Sequence, residues 1–189
     1  MIPRQMSIAV AVMLVAVFSM GIYVGRMRRR AGELAVDTRP VTPPPSGPTE
    51  TVTLYVADDA AGALRARSAT IPLPGGRQQR AEELLRALLA IYQQRDSPHP
   101  LAATADIRSF YLIDPGVAVI DLNAAFADQH RSGIQDEQLT VNSLVQTLAV
   151  NTPGISRVRI LVEGKTRETL AGHVDLTEFF DVQAVSQTP

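Results

Sequence analysis

The sequence predicts an α+β domain carried behind one membrane-spanning helix. Three observations support this fold class: an uncharged apolar run near the N-terminus, a proline-rich stretch after it, and alternating strand patterns interleaved with two helical patterns. The predicted element order is β-β-α-β-β-α-β-β. Hairpins interleaved with helices, with one polar sheet face, favour a mixed β-sheet with two helices packed on one face.

The composition divides the chain into five segments. They are an N-terminal flank (1–6), a transmembrane anchor (7–25), a basic stop and proline-rich tether (26–50), the α+β domain (51–182) and a C-terminal tail (183–189). A domain of this size buries enough surface to fold without a metal or a disulfide. The absence of cysteine excludes thiol catalysis, a disulfide framework and a lipidated cysteine.

The anchor is an uncharged run of nineteen residues from Ser7 to Gly25. A helix of this length spans about 28 Å, close to the roughly 30 Å hydrocarbon thickness of a bilayer. The run passes directly into arginines instead of a small-residue cleavage site, which favours a retained anchor over a signal peptide. The anchor residues singled out are Ser7, Ile8, Val10, Leu14, Phe18, Gly21 and Gly25.

The flanking charges bear on orientation. The basic flank consists of Arg26, Arg28, Arg29 and Arg30, whereas only Arg4 precedes the span. By the positive-inside rule this asymmetry keeps the following domain in the cytoplasm. Within the span, Gly21 and Gly25 match the small-xxx-small pattern through which two membrane helices pack closely.

Five prolines fall between residues 40 and 48, where apolar periodicity disappears. Because proline fixes φ and lacks an N–H, this stretch favours extended polyproline II and is interpreted as a spacer. A ligand for a proline-recognising domain is the alternative.

The domain opens with two predicted strands and a helix. Residues 52–56 alternate, and residues 68–73 alternate again, with Pro72 and Pro74 restricting the second strand to a sheet edge or a bulge. The first helix is predicted from apolar residues at i, i+3, i+4, i+7, i+8 and i+11. These residues are Ala81, Leu84, Leu85, Leu88, Leu89 and Tyr92.

A hairpin and a second helix follow. Residues 107–113 and 117–122 are β-branched runs joined by Asp-Pro-Gly, a typical turn sequence. Ser132 and Gln135 fit a capping box for the second helix, whose apolar stripe continues to Ala149.

The last predicted elements are two strands. Val158, Ile160 and Val162 alternate with polar residues that include Arg157 and Arg159, which predicts one wet face. Residues 169–176 are predicted to form the partner strand after a Gly-Lys turn.

The sequence contains no convincing constellation for catalysis, a cofactor or a metal. The three histidines, His99, His130 and His173, have no i, i+4 pairing and no neighbouring cysteine. Asp121 stands out as an acid inside an apolar hairpin, for which a local cap is weighed against a catalytic role. The net charge of −1 leaves no electrostatic footprint for a nucleic acid.

With these elements in place, the chain resembles the GerM (GerMN) domain family of bacterial sporulation, germination and other envelope-associated proteins. The resemblance runs from about Val52 to Phe180. Its carriers are residues 52–56, the helix residues 84–89, the hairpin 107–126, residues 144–148, and the segments 158–164 and 170–176.

The resemblance implies a non-catalytic interaction or scaffolding module of the bacterial cell envelope. It transfers no catalytic residues. Expected partners are membrane lipid, through the N-terminal helix, and an envelope protein or a second copy. The residues expected on the interaction surface are Arg157, Arg159, Asp121 and His173.

The family resemblance favours an extracytoplasmic domain, against the positive-inside rule. The alternative function is an envelope ligand-binding or hydrolytic protein that acts on a cell-wall polymer or a small molecule.

Overall fold

The computed structural model describes residue 20 and residues 47–73, 75–113 and 115–186. The chain separates into two compact units, 1–46 and 47–189. Apart from Met20, the predicted anchor lies outside the described residues, as does the tether up to residue 46. Across the described residues, no helix combines the length and the apolarity needed to cross a membrane.

The second unit is an α+β domain with ten elements. In chain order they are β1 (Thr49–Asp58), β2 (Ala63–Pro72), α1 (Arg77–Tyr92), β3 (Ile107–Ile113), β4 (Val117–Leu122), α2 (Ala124–Asp128), α3 (Ile134–Asn151), β5 (Arg157–Val162), β6 (Phe180–Asp181) and α4 (Val182–Ser186).

The strands form two sheets instead of the predicted single mixed sheet. The first is the long antiparallel hairpin β1-β2. The second has the order β3-β4-β5-β6 and is mixed, because β4 and β5 run parallel while the other neighbours are antiparallel. β1 does not join the larger sheet because side chains from the helices occupy the backbone groups along its other edge.

Both predicted helices are present. α1 buries all six residues of the predicted apolar stripe. α3 begins at Ile134, and the predicted Ser132 capping box is wrong: the N-cap is Gly133, which has no side chain to offer. The Glu137 carboxylate instead accepts the Gly133 N–H at 3.3 Å, so the helix start is stabilised by an acid in its first turn.

The predicted final strand over residues 169–176 is also wrong. This segment contains a single isolated bridge, between Thr169 and Asp175. Three of its amide groups, those of Ala171, His173 and Val174, donate to the buried Glu137 carboxylate and are therefore unavailable for a ladder. The strand that pairs with β5 is β6, further along the chain.

One apolar core lies between the helices, the β1-β2 hairpin and the inner face of the four-stranded sheet. That inner face carries Phe110, Ile120, Val158 and Ile160, each with no exposed surface. The alternate residues of the same strands project from the opposite face of the sheet. The sheet therefore presents one buried face and one outward face, as predicted for β5.

Candidate functional site

The outward face of the four-stranded sheet is the candidate interaction surface. Strand register places Tyr111 beside Val119 and Val119 beside Arg159, and likewise Ile113 beside Val117 and Val117 beside Arg157. Two rows cross the sheet in this way. Each runs from an apolar side chain on β3 to an arginine on β5, so the surface is apolar at one side and basic at the other.

The basic side is organised around one aromatic ring. The guanidinium carbons of Arg157 and Arg159 each lie 5.2 Å from the centre of the Phe179 ring. Phe179 is 44% exposed although it is large and apolar. Cation–π contacts of this kind hold guanidinium groups in place without neutralising their charge.

The two arginines have no ion-pair partner among the residues described. Two acids lie in this region: Asp181, opposite Arg157 in the ladder, accepts the amides of Gln183 and Ala184. Asp175 accepts the hydroxyl and the amide of Thr177, and these hydrogen bonds, with a smaller electrostatic contribution from Arg159, lower the pKa of Asp175. The cluster therefore holds two guanidinium groups beside one aromatic ring, without a direct salt bridge to either acid.

The apolar side of the surface is formed by β3. Tyr111 is 49% exposed and Ile113 is 53% exposed. Isolated exposed apolar residues are ordinary. Here, however, they are neighbours on one strand and adjoin the half-buried Val117 and Val119, and a contiguous patch of this kind with a polar rim is typical of an interaction site.

The other two predicted surface residues lie elsewhere. Asp121 is nearly buried, where it accepts the Gly164 amide at 2.7 Å and pairs with Arg108 at 3.2 Å. It does not cap the following turn, because that cap is Asn123, which accepts the Phe126 amide. His173 lies near the start of α3, against Glu137, and not on the sheet face.

A buried polar network forms a second cluster, in which His99 and His130 meet at one hydroxyl and His173 lies nearby, against α3. His99 Nδ1 lies 2.5 Å from Asp59 Oδ1, and His99 Nε2 lies 2.6 Å from the Thr140 hydroxyl. His130 Nε2 reaches the same hydroxyl at 2.7 Å. His173 joins the neighbouring turn of α3 through Glu137. The histidines that look scattered along the chain thus converge on one helix.

The hydrogen bonds indicate that the Nδ1 atoms of His99 and His130 are protonated. His99 Nδ1 faces a carboxylate and His130 Nδ1 faces the Arg131 carbonyl, so both nitrogens carry a proton. The Thr140 hydroxyl also lies 3.1 Å from the Asp136 carbonyl, to which it can donate. Burial, with a further contribution from the nearby His99, lowers the pKa of His130. The lowered pKa favours the neutral form of the His130 ring.

The order acid, imidazole, hydroxyl in Asp59, His99 and Thr140 resembles the arrangement of a nucleophilic triad. His99 is 1% exposed and Thr140 is fully buried. The hydroxyl is also within reach of two imidazoles and the Asp136 carbonyl, so a substrate has neither access nor room. The geometry favours a structural role for this network.

The donor atoms of Asp59, His99 and Asp136 lie within 4.8 Å of one another, close enough to consider a metal ion. Arg131, however, donates to both carboxylates. A divalent cation would have to displace this guanidinium, which already supplies the positive charge that the acids require.

A shallow groove of about 330 Å³ lies beside the β3–β4 turn and is lined by residues that include Leu112, Ile113 and Ile155. Arg77 is the charged residue of its lining, and its guanidinium donates to the Pro153 carbonyl at 2.7 Å. No other residue of this lining carries a polar side chain, whereas a catalytic or small-molecule site requires several that converge.

Comparison with known proteins agrees with the fold. A family model described as "Germane: Sporulation and spore germination" matches residues 53–168. The comparison with curated proteins found no match.

Solved structures similar to the chain include GerMN domains. The tandem GerMN domains of the sporulation protein GerM from Bacillus subtilis match with a TM-score of 0.53 and 18% identity, over 72% of this chain and 48% of that one. The first GerMN domain of the same protein matches with a TM-score of 0.48 and 20% identity, over 68% of this chain and 94% of that one. The family model covers more than half of the sequence, and the chain therefore belongs to the Germane family of sporulation and spore germination domains.

Proposed function

We propose that this protein is a membrane-anchored, non-catalytic interaction module of the bacterial cell envelope. Its outward sheet face would bind a protein partner. The observation that carries the proposal is the Arg157–Phe179–Arg159 cluster, in which two guanidinium groups without a salt bridge among the described residues lie on an exposed aromatic ring. Arginine and aromatic residues are the types most enriched among energetically important interface residues.

The chemistry of the face indicates what it would bind. No internal hydrogen bond engages the Arg157 guanidinium within the described residues, so it can take a carboxylate in a bidentate manner. Arg159 already donates to the Thr177 carbonyl and to the Thr166 hydroxyl, and it adds a second positive charge beside Arg157. The apolar row on β3 requires apolar side chains opposite it. A protein segment that carries acids at one side and apolar residues at the other satisfies both requirements, whereas a phosphate polymer satisfies the first alone.

The N-terminal pattern supports placement at a membrane. The uncharged run at 7–25 has the length of a single span, and the tether would hold the domain away from the bilayer. Family membership supports an envelope role, and with it an extracytoplasmic domain, although the arginines at 26–30 favour the opposite orientation. Reporters fused after Pro189, active on one side of the membrane alone, distinguish the two orientations.

The binding proposal is tested by reversing the charge of the cluster. We expect the full-length R157E/R159E double variant to lose partner recovery in crosslinking and pull-down from the native membrane. Its unfolding midpoint should stay close to that of the wild type because both side chains lie outside the core.

A matched control keeps the change in net charge and moves it elsewhere. R67E/R95E alters two exposed arginines on β2 and on the loop after α1, and it should retain the partner. If R157E/R159E recovers the same proteins as the wild type in equal amount, the outward sheet face is not the binding surface.

A further inference from the structure

Both β-sheets of this domain are open sheets and therefore have edge strands. An edge strand exposes a row of backbone N–H and C=O groups that another strand can pair with, and proteins usually protect such edges. The two sheets here have four edge strands: β1, β2, β3 and β6. Three of them are protected in different ways, and one is not.

The free edge of β1 is closed by helix side chains. The Thr53 amide donates to Asn151 Oδ1 and the Thr53 carbonyl accepts from Asn151 Nδ2. The Tyr55 amide donates to the Thr147 hydroxyl at 2.9 Å, and the Ala57 amide donates to the Tyr92 hydroxyl at 2.9 Å. Alternate residues along the strand are thus satisfied one after another.

β2 and β6 are protected by their sequence and length. β2 carries Arg65 and Arg67 and ends in Pro72, and charges and proline are the residues that oppose edge pairing. β6 is two residues long, too short to template another strand.

β3 has none of these protections beyond its first residues. A bulge lies between Ile107 and Ser109, and the single charge of the strand, on Arg108, is paired with Asp121 and Glu163 of its own domain. Over residues 109–113 the strand is uncharged and contains no proline. Apart from its pairing with β4, the backbone of this stretch has no hydrogen-bond partner within the described part of the chain.

We propose that β3 pairs antiparallel with β3 of a second copy of this chain and joins two four-stranded sheets into one. A two-fold axis makes the contact self-complementary, so each copy supplies the same neutral strand. Antiparallel pairing places the two Arg108 side chains at opposite ends of the contact, which avoids like-charge repulsion. The exposed Tyr111 and Ile113 of both copies then meet on one face, where cross-strand aromatic and β-branched pairs stabilise sheets.

This inference concerns the backbone edge of β3 and a second copy, and it shares the side chains of Tyr111 and Ile113 with the sheet-face proposal. The two are tested separately, because R157E/R159E alters β5 and leaves the β3 edge unchanged. The chain contains no cysteine, so any disulfide that forms must join introduced cysteines. Cα atoms of directly opposite residues in an antiparallel pair are about 4.5–5.5 Å apart, within the span of a disulfide. A disulfide therefore reports strand register directly.

The experiment uses full-length protein in membranes. Three single variants, S109C, Y111C and I113C, are oxidised alone and in mixed pairs. S68C, an exposed position on the protected strand β2, is the control. We expect one register to crosslink at a rate roughly tenfold or more above S68C, because pairing raises the local thiol concentration. If the two-fold axis passes between the two Tyr111 residues, for example, Y111C forms a disulfide with Y111C of the second copy. In the mixed sample, S109C of one copy then forms a disulfide with I113C of the other.

Two results would overturn the pairing. One is a dimer yield no higher than that of S68C in every combination, and the other is equal crosslinking in all combinations, which indicates random collision. A second variant guards against altered folding: S109K/I113K, which places charges on the open edge, should abolish native dimers seen by light scattering while the unfolding midpoint is retained. Persistence of those dimers would also overturn the proposal.

Discussion

At the residue scale, Glu137 connects α3 to the segment that precedes β6. Its carboxylate is fully buried and accepts the amides of Ala171, His173 and Val174 within 3.0 Å, and His173 Nδ1 at 2.9 Å. Burial opposes ionisation, but these donors outweigh it and lower the pKa of Glu137 to about 2 from its ordinary 4.5. The acid is therefore an anchor for irregular backbone, and a catalytic acid would need the opposite shift.

Replacing this carboxylate tests the anchor. We expect E137Q to lower the free energy of unfolding at pH 7 by about 3 kcal/mol, since a depression of the pKa by one unit corresponds to 1.36 kcal/mol. A carboxyl group whose pKa is lowered in the folded state stabilises the protein at pH values above its unfolded-state pKa. The wild type should thus lose this stability as pH falls from 4.5 towards 2. Urea unfolding across that range measures the loss, and an equal slope in E137Q would contradict the assignment.

The Thr140 hydroxyl is the second decisive residue. We expect T140V to destabilise the domain by about 2 kcal/mol, because the isosteric change leaves a buried imidazole nitrogen without a partner. T140S keeps the hydroxyl and should recover most of the loss. Equal unfolding midpoints for T140V and T140S would show that the His99 and His130 contacts are dispensable.

The same network predicts a pH response. The pKa of His130 is lowered in the folded state, so the folded protein binds fewer protons than the unfolded chain. The stability from neutral His130 is present above its unfolded pKa of about 6.5 and is lost as pH falls below it. Nitrogen chemical shifts at pH 7 should show His130 with a proton on Nδ1 and none on Nε2, and a doubly protonated ring would contradict this.

At the element scale, helix side chains form the hydrogen bonds along β1 that a neighbouring strand would otherwise form. Hydrogen exchange of the β1 amides tests whether these side chains protect them. We expect T147V to speed exchange of the Tyr55 amide and to cost about 1–3 kcal/mol, because that N–H loses its acceptor in a buried place. V150A changes an exposed residue of the same helix and should leave the Tyr55 amide protected. Unchanged exchange in T147V would mean that the edge is closed by other groups.

Element patterns in the sequence predict most of the fold for a local reason. The stripe of α1 and the alternation in β5 both follow from which side chains face the core, so both are confirmed. The segment 169–176 has an equally good strand pattern and is not a strand. Its amides are taken by Glu137, a residue more than thirty positions away, and no local pattern contains that information.

At the scale of the whole molecule, the buried core runs from Val52 to Val185 and includes no residue of the N-terminal unit among those described. We therefore expect residues 47–189 to fold alone, with the unfolding midpoint of the detergent-solubilised full-length protein. Chemical denaturation followed by circular dichroism measures both. A midpoint well below that of the full-length protein would show that residues 1–46 contribute to the core.

Part of the candidate surface could be predicted from the sequence. Arg157 and Arg159 follow from alternation in β5, but Phe179, Tyr111 and Ile113 join them through sheet register and through a loop that returns to the sheet. The histidines show the same limit, since the meeting of His99 and His130 at Thr140 depends on how α3 packs.

Sequence patterns alone determine the stripe of α1, the β3-β4 hairpin, the alternation of β5 and the family, because side-chain periodicity and turn chemistry act over a few residues. The division into two sheets, the open edge of β3, the basic cluster on Phe179 and the buried histidine network are decided by tertiary structure. Each of these depends on hydrogen bonds or contacts between residues far apart in the chain, and such pairs become neighbours only when the core has formed.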